Sequence, residues 1–81
     1  MTIDGRTVTP APADVQVGTG EAIRLVVTSA RANQVHVHGP DLERDLPPGT
    51  PVTLDLRFTD PGGYEVETHD PELRLLRFVV R

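Results

Sequence analysis

Eight prolines and seven glycines are distributed so that every apolar run along the chain is short. No segment holds a sustained 3.6-residue apolar period, so an amphipathic helix has no place to form. The runs between the turn residues alternate instead, which is the pattern of an all-β sandwich or barrel. Ile3 and Val8 flank Asp4-Gly5, a dipeptide suited to a tight turn with positive φ. Pro10–Asp14 carries two prolines and reads as a connector. Strands are expected at Val15–Val17, Ala22–Thr28, Gln34–His38, Val52–Phe58, Tyr64–His69 and Leu73–Arg81. Ala22–Thr28 is the clearest core strand, with Ile23, Leu25 and Val27 on one face and Arg24 on the other. In the last strand Leu76, Phe78 and Val80 alternate with Leu75 and Val79, so both faces are expected to be covered. Ser29–Asn33 reads as a loop. So does the charged stretch Leu42–Leu46, whose two leucines are expected to plug one end of the core.

Eighty-one residues suffice for one domain near the lower size limit for unaided folding. The absence of cysteine removes both a disulfide framework and a thiolate metal site. Stability must therefore come from one core, drawn from 37% apolar residues. A net charge of −4, with every positive charge an isolated arginine, argues against nucleic acid and anionic membranes as partners. No run approaches a membrane span, so no membrane insertion is expected, and no signal peptide is recognised.

Two of the three histidines lie in Asn33–Gly39, N-Q-V-H-V-H-G. In a strand, His36 and His38 share one face and Val35 and Val37 the other, with the histidines about 6–7 Å apart along the chain. Two imidazoles so placed can serve one metal ion. His69 follows in G-G-Y-E-V-E-T-H, where it shares a face with Glu67. If these two strands are close, His36, His38, His69 and Glu67 converge. If Val35, Val37, Tyr64 and Val66 face the core, the histidines point outward to solvent. Neutral imidazole suits copper(II), zinc and nickel.

Other groups point to no chemistry. Asp14, Glu43, Asp45 and Asp55 form no readable carboxylate pair and are expected to solvate the surface. Ser29 has no predictable base, and no helix follows Gly18-Thr19-Gly20 to make a phosphate loop. Glu65, Glu67 and His69 have no implied pocket around them for acid–base work. An enzyme is not expected.

Four segments in order resemble the cupredoxin superfamily, the blue-copper-like β-sandwiches. They are V-x-V-x-x-G-E-A-I-R-L-V-V at Val15–Val27, N-Q-V-H-V-H-G at Asn33–Gly39, P-P-G-T-P-V-T-L-D-L-R-F at Pro47–Phe58, and D-P-G-G-Y-E-V-E-T at Asp60–Thr68. The resemblance implies a small cupredoxin-like Greek-key β-sandwich of about seven strands, with residues 1–81 as a single domain. It places a copper-binding histidine at His36 and the copper-binding cysteine at about Thr68. This chain has no cysteine, and its only methionine is Met1. A blue-copper centre needs that thiolate, so electron transfer through one is excluded.

Two readings remain. One is a metal-binding module for copper carriage or handling, holding copper(II) or zinc in a type-2-like site through His36, His38, His69 and Glu67. The other is a metal-free structural or protein-interaction domain. The partner is then a metal ion or another protein, and the resemblance implies an extracytoplasmic location.

Overall fold

The computed structural model describes residues 1–81 and holds nine strands and no helix. Strands β1 (Thr2–Asp4) and β2 (Thr7–Thr9) form a hairpin closed by Gly5 at φ 61°. The others are β3 (Asp14–Val17), β4 (Ala22–Ser29), β5 (Asn33–Val37), β6 (Leu42–Leu46), β7 (Val52–Arg57), β8 (Gly62–Thr68) and β9 (Arg74–Val80). They make one sheet in the order β2-β1-β4-β7 and another in the order β3-β9-β8-β5-β6. The pairs β1–β4 and β3–β9 are parallel, and the rest are antiparallel.

The expected alternation is present. Val27, Leu54 and Leu56 from one sheet meet Val35, Val37, Val66, Phe78 and Val80 from the other in a core of 13 buried residues. Arg24 and Asp55, paired across β4 and β7, stay exposed and join through a 3.1 Å ion pair. Phe58 stacks on Tyr64 at 4.4 Å between ring centroids, and the Tyr64 hydroxyl donates to the Asp60 carbonyl at 2.8 Å. Gly39, at φ 98°, passes against this ring, and a Cβ there would lie 2.2 Å from Tyr64 Cδ1. Only glycine satisfies both demands. That contact fixes where the chain turns away just after His38.

Three expectations change. Leu42–Leu46 is a strand, β6, paired along its length with β5. Its charged middle hides the pattern because an edge strand with one solvated face needs few apolar residues. Ser29 ends β4 rather than opening a loop; it is buried and donates to the Arg31 carbonyl at 2.6 Å. Finally, Leu75 and Leu76 are consecutive yet both lie in the core. Val66 pairs with Leu76 and Glu67 with Arg74, which leaves Leu75 as the extra residue of a β-bulge. The bulge turns both leucines inward, so the last strand does not need cover on two faces.

Leu75 is fully buried. Leu75→Ala should therefore lower the unfolding free energy by about 2–5 kcal/mol, read as a shifted urea midpoint with unchanged slope. A loss below about 1 kcal/mol would show that the bulge collapses onto the cavity.

Candidate metal centre

The site is a product of strand parity and register. Val35 and Val37 are fully buried, so His36 between them must face outward from the five-stranded sheet. Its register partners are Glu43 on β6 and Glu67 on β8. Directly opposed residues in antiparallel strands have Cβ atoms about 4.5–5.5 Å apart, so a carboxylate flanks His36 on each side. His38 lies one residue beyond β5, where its backbone N–H donates to the Glu65 carbonyl at 2.9 Å. His69 lies one residue beyond β8.

His38 and His69 both bring their imidazoles against His36. The His36 ring centroid is 4.3 Å from that of His38 and 5.7 Å from that of His69. Each ring also has a carboxylate partner: His38 Nε2 to Glu67 Oε1 at 2.6 Å, His36 Nε2 to Asp41 Oδ1 at 2.6 Å, and His69 Nε2 to Glu43 Oε1 at 3.4 Å. Donor atoms of His36, His38 and Glu67 lie within 4.8 Å of one another, and so do those of His36, Glu43 and His69. The four residues singled out from the sequence thus share one outer surface. Outward orientation and convergence hold together.

No family model matches the sequence, and no curated protein does. Solved structures do match in fold. A chain of a heme-copper terminal oxidase dimer superposes with a TM-score of 0.77 at 19% identity, over 99% of this chain and 60% of that one. A multicopper oxidase gives 0.68 at 20% identity, over 83% of this chain and 32% of the oxidase. A methionine-substituted amicyanin in its Cu(I) form gives 0.64 at 18% identity, over 100% of this chain and 81% of amicyanin. The fold is cupredoxin-like. The chain spans less than two thirds of the length of either oxidase chain.

Within this cupredoxin-like sandwich, the two ligand positions that the sequence resemblance implies do not meet. Thr68 pairs with Val35 and is fully buried on the inner face, whereas His36 pairs with Glu67 on the outer face. Thr68 and Asn33 instead meet at the Pro71 carbonyl. The Thr68 hydroxyl donates to the Pro71 carbonyl at 2.7 Å and accepts from the Leu73 N–H at 3.1 Å. Asn33 Nδ2 donates to the same carbonyl at 3.4 Å, and Asn33 Oδ1 accepts from the N–H groups of His69 and Asp70 at 3.2 and 2.9 Å. This polar latch holds the loop that carries His69.

Neutral imidazole with carboxylate is a donor set for copper(II) or zinc and contains no sulfur for a blue site. The residues therefore fit a type-2-like ion. Glu43, expected only to solvate the surface, instead joins a donor group with His36 and His69, and Asp41, which the sequence did not single out, pairs with His36. The signal was present, since His36 and Glu43 lie three residues to either side of Gly39-Pro40, as a hairpin requires. Reading β6 as a loop concealed it. Of the other carboxylates, Asp14 pairs with Arg77 at 2.8 Å and with Arg74 at 3.3 Å.

Carboxylates also set the charge of the site. The hydrogen bond that His38 donates to Glu67 raises its pKa above 6.5, burial opposes it, and the charges of Glu67, Glu65 and Asp41 raise it further. In metal-free protein the protonated His38–Glu67 pair thus contributes stability that is fully present below pH 6.5. That contribution disappears as pH rises through the raised folded pKa. An NMR titration of His38 should show a midpoint above 6.5 that falls in Glu67→Gln. An unchanged midpoint in that variant would remove Glu67 as the cause.

Proposed function

We propose that this protein is a cupredoxin-fold metal-binding module that takes copper(II), or zinc, through His36, His38, His69 and Glu67. Its role is carriage or handling of the ion, without electron transfer through a blue-copper centre and without catalysis. The observation that carries this reading is the packing of the His38 and His69 imidazoles against His36, each with a carboxylate, so that the donor atoms of each group lie within 4.8 Å of one another. A bound ion would draw on imidazole nitrogen and carboxylate oxygen. His38 and His69 are 46% and 43% exposed, so the donors are accessible to an ion delivered by or passed to another protein. The copper-protein fold neighbours support copper as the metal, and the extracytoplasmic setting rests on the sequence resemblance.

A second reading, a metal-free structural or interaction domain, rests on a separate observation. Each imidazole already has a carboxylate partner, and such pairs bind the sheet face together with no ion.

Copper(II) titration of metal-stripped protein, followed by electron paramagnetic resonance, separates the two. The metal reading expects one tight equivalent with nitrogen couplings, lost in His36→Ala. Weak binding that His36→Ala leaves unchanged would favour the metal-free domain.

A further inference from the structure

The donor groups divide into two sets that share His36 alone: His38 with Glu67, and His69 with Glu43. Their carboxylates lie to either side of β5. Glu67 is opposite His36 on β8, and Glu43 is opposite His36 on β6. The two carboxylates are therefore two inter-strand spacings apart, roughly 9.6 Å at the backbone. Donors to a single ion with bonds of about 2.0–2.2 Å can be no more than roughly 4.4 Å from one another. Each set is gathered near that scale around His36, and each presents two nitrogens and one oxygen. A neutral imidazole has one lone pair free for a metal, so His36 serves one ion at a time.

We infer that this face holds two mutually exclusive positions for one divalent cation, pivoting on His36, with Glu43 a ligand of the second position. This deepens the metal-binding reading and rests on it. An ion can then occupy the His38–Glu67 side or the His69–Glu43 side, and can shift from one to the other while His36 keeps hold of it. The arrangement suits a carrier that accepts an ion at one edge of the cluster and releases it at the other.

The test compares copper(II) spectra and stoichiometry of the wild type with two paired variants, His38→Ala/Glu67→Gln and His69→Ala/Glu43→Gln. Glu43→Gln alone serves as a milder change at an exposed residue, and circular dichroism checks that each variant is folded. The expected wild-type spectrum is two overlapping signals from one bound equivalent. Each paired variant should keep one equivalent and only one of the two signals, and Glu43→Gln should deplete the same signal as its pair. A single wild-type signal, abolished by the His38/Glu67 pair and untouched by the other, would overturn the inference and leave a single site. Two bound equivalents would overturn the sharing of His36. Failure of the wild type to bind copper(II) would overturn the metal reading itself, and the inference with it.

Discussion

The register of β6-β5-β8 is the constraint on which the site depends. Val35 and Val37 are driven inward because burying them removes apolar surface from water, worth about 1.5–3 kcal/mol for each side chain. Period-two geometry then leaves His36 no choice of face. Antiparallel pairing on both sides sets a glutamate against it twice. The donors are thus assembled by the forces that build the core. No residue of the cluster has to be held in place at the expense of burial.

The inner face tells a different story at the same strands. Where the cupredoxin resemblance calls for a thiolate, Thr68 is enclosed and fully engaged, donating to Pro71 and accepting from Leu73. A hydroxyl buried without partners would cost about 1–3 kcal/mol, so these bonds are what make threonine acceptable there. Asn33 does similar work one strand away, gathering the amides of His69 and Asp70. The interior position has become a structural latch, and one of its effects is to position the His69 loop on the opposite side. Chemistry and stability therefore occupy the two faces of one sheet.

Carboxylates give the outer face its character. Asp41, Glu43, Glu65 and Glu67 lie around the three imidazoles and supply counter-charge for protonated rings, and Glu43 and Glu67 are the candidate oxygen donors for a cation. On the proposed metal-binding reading, protons and a metal ion would compete for one set of lone pairs, because a protonated imidazole donates at both nitrogens and has none to offer. The bulge at Leu75 adds to this arrangement. It lies across from the Val66/Glu67 step, where the ladder shifts beside the cluster. Bulges re-aim side chains where they occur, and this one adjoins Glu67.

Most of the fold was legible in the chain. Alternation marked β4, β5, β7 and β8, and proline and glycine marked their ends, because a half-buried strand must repeat every two residues. The exclusion of a blue-copper centre was also complete in the sequence, since no packing can supply a missing sulfur. Parity within each strand put His36 and His38 on one face, and Glu67 and His69 on one face, but the structure gathers Glu67 with His38 and His69 with Glu43. What parity could not reveal was which strands are neighbours. The charged strand β6 lacks the apolar rhythm that reveals a strand, so Glu43 was read as a surface carboxylate rather than as the register partner of His36. Leu75 and Leu76 broke the rhythm for the opposite reason, a bulge that only the β8–β9 ladder discloses. The sequence by itself determined the donor types and their faces, which are local properties of residue chemistry and backbone period. Only the tertiary structure decided that β5 lies between β6 and β8, because strand order is fixed by burial of the whole core at once.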